Sequence, residues 1–135
     1  MKKLKSLKFI IIVIVITLGV FIYLQLSKDK ITFQNITGDM AIVELQKDDS
    51  IILLDVRTKE EHDKKRIPNS ILIPVDDLRN IVLNEIEDKQ TRIFVYCGSG
   101  ARSRRASRIL TNLGYENVYN LGGINDWKYE TENET

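Results

Sequence analysis

One cysteine stands in the whole chain, Cys97, and it opens the run CGSGARS, with four residues between it and Arg102. A thiol beside glycines and an arginine is a candidate nucleophile, because the thiolate is the reactive form and this setting favours it. Glycines let successive backbone N–H groups turn inward around an anion, and a helix beginning there adds partial positive charge. Arg102 adds a full charge at the same place. The expectation is a Cys97 thiol ionising below the ordinary range. The alternative is an inert buried thiol, since a lone cysteine forms no internal disulfide. A second candidate group, Asp55 and Arg57, follows the apolar run IILL. It is read as support for a crevice around Cys97, with a plain internal ion pair as the alternative.

The flanking patterns say what positions these groups. SIILLD and RIFVY are short runs apolar on both faces, as expected of strands buried inside a sheet. ITF (31–33), ILIP ended by Pro74, and NVYNL are three further strand candidates. Between them lie helical patterns. Thr37 caps a helix running to about Gln46, with Asp39 in its first turn. Thr58 and Glu61 form a capping-box pair for a short helix. Residues 75–85 place Leu78, Ile81 and Val82 on one side. Ala106, Ile109, Leu110 and Leu113 recur at i, i+3, i+4 and i+7 before Gly114, with Arg104, Arg105 and Arg108 opposite. GGINDW turns into a short helix, and KYETENET reads as a frayed polar tail. Strands alternating with helices predict an α/β fold: an open, mainly parallel five-stranded sheet with helices on both faces. In such sheets ligands sit outside the carboxyl ends of the strands, where Asp55 and Cys97 both fall.

The N-terminus carries a different message. Lys2, Lys3, Lys5 and Lys8 lie in a segment, 1–26, without a single acid, although the chain as a whole is nearly neutral at +1. The rest holds sixteen basic and nineteen acidic residues, a balance that argues against nucleic acid as a partner. Residues 9–26 are almost wholly apolar. As a helix they span about 27 Å, close to the hydrocarbon thickness of a bilayer. No small-residue cleavage pattern follows, so a single-pass anchor is favoured over a removed signal peptide. The lysines place the N-terminus inside and the following domain outside the cytoplasmic membrane. The expected organisation is an anchor at 1–26, a linker at 27–30, a domain at 31–128 and a tail at 129–135. One cysteine and one histidine do not make an ordinary zinc site, so no metal and no cofactor is expected, and GSGARS lacks the ending of a P-loop. His62 is read as a structural or surface residue rather than a partner of Cys97. Trp127 and Tyr119 are read as packing residues.

CGSGARS resembles the active-site loop of single-domain rhodaneses. LLDVRTKEEHDKKRIPNSILIP is similar to that family's Asp-Val-Arg strand end, Glu-Glu-aromatic helix and His-Ile-Pro turn, and NVYNLGGINDW to its closing Gly-Gly-x-x-x-Trp segment. The resemblance implies a sulfurtransferase. Cys97 would take a sulfane sulfur from a small anionic donor such as thiosulfate, or from a persulfide. It would pass the sulfur to a thiol or a cyanide-like acceptor, a protein acceptor included. The backbone of Gly98, Ser99, Gly100, Ala101, Arg102 and Ser103 would cradle the transferred sulfur, and Arg102 would bind the donor. Cysteine phosphatases of the same fold carry one more residue between Cys and Arg, so the shorter ring here suits one sulfur atom. A persulfide carrier, a redox sensor or a docking module is the non-enzymatic alternative. Two positions depart from the pattern: His62 stands at the aromatic position, and Lys65 replaces a glycine.

Overall fold

The computed structural model describes residues 1–26 and 31–133, which form an N-terminal helix and a separate unit beginning at Ile31. The helix, α1, runs Lys2–Leu26 and buries none of its side chains. It is long and apolar enough to cross a membrane. Its Thr17 hydroxyl donates to the Ile14 carbonyl at 2.9 Å, which satisfies the polar group within the helix itself. The proposed linker, 27–30, and the last two residues of the tail lie outside the described residues.

The second unit alternates strand and helix as the pattern demanded. In chain order these are β1 (Gln34–Asn35), α2 (Gly38–Lys47), β2 (Ile52–Asp55), α3 (Lys59–Lys64), β3 (Ile71–Leu72), α4 (Leu78–Glu85), β4 (Arg92–Cys97), α5 (Ala101–Asn112) and β5 (Asn117–Gly123), with a 3-10 turn at Ile124–Asp126. All four strand pairings are parallel, in the order β1-β5-β4-β2-β3. β4 is therefore central, and its period-two alternation divides the core. Ile93, Val95 and Cys97 join the cluster with Leu110 of α5 and Val82 of α4, while Phe94 and Tyr96 join Ala41 of α2 and Ile124 on the opposite face. Cys97 thus ends the central strand on the α5 side.

Caps set the helix starts. The Thr37 hydroxyl accepts from the Met40 N–H, and Thr58 and Glu61 form a complete capping box. Replacing Thr58 with alanine should cost about 0.5–2 kcal/mol in denaturant unfolding; an unchanged midpoint would show that α3 does not depend on its cap.

Four expectations are corrected. The first strand forms at Gln34–Asn35, not at 31–33. It is an edge strand held by backbone pairing to Tyr119 and Asn120 and by the Asn120 amide donating to Asn35 Oδ1 (3.1 Å), so apolarity does not mark it. α4 begins at Leu78, not Val75, because the Asp77 N–H closes a tight turn onto the Pro74 carbonyl and the first i to i−4 bond runs from the Ile81 N–H to the Asp77 carbonyl. Leu78 and Val82 are buried, but Ile81 faces outward. The tail is not frayed through Glu132. Arg66 and Glu132 exchange both backbone hydrogen bonds and also form an ion pair at 3.0 Å, and Trp127 Nε1 donates to the Glu130 carbonyl. The buried face of α5 also includes Ser103, Ser107 and Thr111; the Ser107 hydroxyl donates to the Ser103 carbonyl and that of Thr111 to the Arg108 carbonyl.

Candidate active site

β4 ends in Cys97 and α5 begins at Ala101, so the ring between them turns in three residues, Gly98, Ser99 and Gly100. The turn needs a left-handed backbone at Gly100 (φ 107°), which also stands as the N-cap of α5 and offers no side chain to cap it. The first-turn N–H groups of α5 therefore need another acceptor. They find it in Cys97. The Gly100 N–H donates to Sγ at 3.0 Å, and the Arg102 and Ser103 N–H groups also favour the charged form of the sulfur. The sulfur acts as the cap of the helix that follows it.

This has a direct electrostatic result. Burial pushes the Cys97 thiol up, the largest single influence on it. The Ser103 hydroxyl and the N–H groups of Ser103, Gly100 and Arg102 together outweigh it, and the thiol ionises below its ordinary range. That hydroxyl is also 3.0 Å from the Gly100 carbonyl, so its hydrogen serves one acceptor at a time. A group whose pKa is depressed on folding lends stability that is complete above the unfolded pKa and is lost as pH falls through the folded one. A thiolate absorbance titration, taken as the difference between the protein and Cys97→Ser, should have its midpoint below that of the urea-unfolded chain. Coincident midpoints would remove this account of activation.

The ring is braced from below by β5. Opposite Val95 and Tyr96 the register slips, so that Leu121 is the extra residue of a bulge, and Gly122 continues with φ 89°. The bulge brings Gly123 against the ring. A Cβ there would overlap the Gly98 carbonyl and come within 2.8 Å of Ser99 Cα. The Asn125 N–H donates to the same Gly98 carbonyl at 3.2 Å. Gly123 and Asn125, which in sequence are only part of the GGINDW turn, are thus neighbours of the cysteine ring.

Arg102 lies beside the ring but is not an open guanidinium. Its Nη1 and Nη2 each donate at 2.7 Å to one oxygen of Glu61, a bidentate pair. The pair sits over Gly98, whose Cβ would meet Arg102 Nη2 at 3.2 Å and Glu61 Oε1 at 3.9 Å. Hydrogen bonding from Arg102, with further donors from Thr58, holds the Glu61 carboxyl down at about 2 despite partial burial. Its sequence pattern marks Glu61 only as a helix cap. The missed signal is its position in the first turn after β2, at the same sheet edge as Cys97.

Asp55 and Arg57 form a fully buried ion pair at 2.7 Å, so the alternative reading of an internal pair describes the geometry. Asp55 Oδ1 accepts from the Arg57 backbone N–H and Nε, and Oδ2 accepts from Arg57 Nη2 and lies 2.9 Å from His62 Nδ1. Arg57 also donates to the Lys65 carbonyl at 2.6 Å. His62 is therefore a partner of Asp55. Lys65 has φ −164°, extended backbone that any residue adopts, so the absent glycine costs nothing there. Tyr96 completes the layer. Its hydroxyl accepts from the Ile67 N–H and meets Ser70 Oγ at 2.9 Å, while burial raises its pKa to about 12. Tyr119 packs edge-on against Phe94, and Trp127 edge-on against Tyr129.

A family model described as a rhodanese-like domain matches residues 41–130. The chain is 33% identical over 73 residues to the thiosulfate sulfurtransferase PspE of Escherichia coli K12, spanning 54% of this chain and 70% of that one. It is 36% identical over 86 residues to the putative sulfur carrier protein YrkF of Bacillus subtilis, of which it spans less than half, 45%, with 63% of this chain aligned. Among solved structures, a rhodanese-like domain protein from Staphylococcus aureus superposes with a TM-score of 0.67 at 31% identity, covering 76% of this chain and all of that one. A rhodanese from E. coli, solved with anions, superposes at 0.58 and 29% identity, covering 62% and 98%. With a cysteine ring closing the central strand of a parallel five-stranded sheet, and with these relatives on both sequence and fold, the chain belongs to the rhodanese-like domain family, which includes sulfurtransferases.

Proposed function

We propose that this domain is a sulfurtransferase working through a persulfide on Cys97. The observation that carries the reading is the sulfur itself, ending β4 as the acceptor of the Gly100 N–H at the start of α5, in a setting that holds it toward the thiolate. The thiolate attacks the outer sulfur of a donor such as thiosulfate. A new S–S bond forms, the donor's S–S bond breaks, and its electron pair leaves with sulfite. The terminal sulfur then rests among the backbone amides of Gly98 to Ser103, with Arg102 beside it. A thiol or cyanide attacks that sulfur in the second step and Cys97 departs as thiolate. Two half-reactions of this kind give ping-pong kinetics. Asp55 and Arg57 act as positioning residues, fixing the end of β2 next to the ring.

The likeness to a putative sulfur carrier favours a second reading, in which the persulfide is handed to a protein acceptor with little turnover on free thiosulfate. The anchor belongs to the same proposal. α1 would hold the domain, 31–128, at the outer face of the cytoplasmic membrane, with the lysines inside and 27–30 as linker. Intact mass after exposure to thiosulfate tests the chemistry, and thiocyanate production from thiosulfate and cyanide tests turnover. A gain of one sulfur with turnover supports the enzyme, and a stable gain without turnover supports the carrier. No gain with any sulfane donor would overturn both.

A further inference from the structure

The charges around the ring point to the kind of donor it takes, and Glu61 is the residue that decides. A free guanidinium beside Cys97 would draw small dianions, but here the Arg102 charge is met by a carboxylate in a bidentate contact directly over Gly98. The carboxylate is held in place by its other duty, since Glu61 Oε2 accepts from both the N–H and the hydroxyl of Thr58 at 3.0 Å. Four neighbouring cations are also matched. Arg57 pairs with Asp55, Arg105 with Asp76, and Lys64 and Lys59 with Glu60 and Asp63 on α3. A Cys97 thiolate, Arg102 and Glu61 sum to a net charge of minus one. Thiosulfate would bring two more negative charges into that ring, whereas a persulfide reacts as R–S–S–H, which brings none.

We infer that Glu61 is a specificity-determining residue that turns the ring away from thiosulfate and toward persulfides of low charge. The inference rests on the persulfide reading of Cys97 and names the donor class for it. In the favoured half-reaction the Cys97 thiolate attacks the outer sulfur of R–S–S–H. The Cys97 S–S bond forms, the donor S–S bond breaks, and R–S⁻ leaves with the electron pair. The hydrogen stays on the transferred sulfur, and the negative charge leaves with R–S⁻. Arg102 keeps its Nε–H and one hydrogen on each Nη for the donor, because the pair with Glu61 uses only one hydrogen from each.

The test is the rate of sulfur loading onto Cys97 in the full chain in detergent micelles, followed by intact mass. Thiosulfate is compared with 2-hydroxyethyl persulfide generated in situ, which reacts through its protonated, uncharged form. Glu61→Gln is the variant, because glutamine at the same position still closes a capping box. Loading from thiosulfate should rise about five- to tenfold in Glu61→Gln, the moderate gain expected from removing a half-exposed like charge. Loading from the persulfide at fixed pH should change by less than about twofold, since the reacting form, R–S–S–H, carries no charge to feel the carboxylate. The unmodified protein gives a second readout. Its thiosulfate rate should climb with added salt, as screening relieves repulsion, while its persulfide rate stays flat. A thiosulfate rate that is unchanged or lower in Glu61→Gln, or that falls with salt in the unmodified protein, would overturn the assignment. Failure of both donors to load Cys97 would instead overturn the persulfide reading itself.

Discussion

Cys97→Ser should abolish sulfur transfer, with thiocyanate production falling by at least about 10³-fold to the uncatalysed level, the size of loss that follows removal of a nucleophile. The reason lies in ionisation. Three backbone amides around Sγ favour an anion, but a serine hydroxyl at that spot stays protonated at any ordinary pH and forms no persulfide. The fold should survive. Cys97 is 1% exposed and its sulfur accepts the Gly100 N–H, a role that a serine oxygen can keep. A net change of about 1 kcal/mol or less is expected for exchanging one satisfied polar group for another. Activity lost together with the cooperative unfolding transition would mean that the residue is structural. Activity retained would place the nucleophile elsewhere and sink the mechanism.

Asp55→Ala should have the largest effect on stability. Asp55 is completely buried and takes four hydrogen bonds from Arg57 and its backbone, with His62 Nδ1 at 2.9 Å. Its removal strands Arg57, itself only 5% exposed, with the Lys65 carbonyl as its remaining hydrogen-bond acceptor. Leaving one partner of a buried pair uncompensated costs about 3–5 kcal/mol, against a total of about 5–15 kcal/mol for an ordinary domain. Urea unfolding of the fragment from residue 27 onward measures this directly. Replacing both partners, Asp55→Leu with Arg57→Met, should recover most of the loss, because no buried charge is then left alone. If Asp55→Ala alone cost under about 1 kcal/mol, water must reach the pair and the layer beneath the ring would not be a dry support. Sulfur loading of the double variant then separates support from chemistry. A positioning role predicts a slower but surviving reaction.

The parts of this protein that were legible in the sequence are those carried by local pattern. Two strands apolar on both faces, a capping box at Thr58 and Glu61, an apolar stripe on α5 and an eighteen-residue apolar segment are each written in consecutive residues, and each appears where expected. The cysteine ring was legible for the same reason, since its glycines and the start of α5 adjoin Cys97 in the chain. β1 was misplaced because an edge strand of polar residues is defined by the β5 backbone beside it. The tail was misread because its partner, Arg66, is far away in sequence.

What only the tertiary structure decided is which charges meet. Glu61 and Arg102 are 41 residues apart, and neither pattern pointed to the other. The pair forms because parallel neighbours β2 and β4 end at the same edge of the sheet, so that the first turn of α3 and the first turn of α5 emerge side by side. His62 reaching Asp55, Tyr96 reaching Ile67, and Gly123 lying against Gly98 follow from the same convergence. Periodicity determines which elements form, because it is a property of neighbours along the chain. The charge presented at the mouth of the site depends on which elements end together, and that is set by strand order.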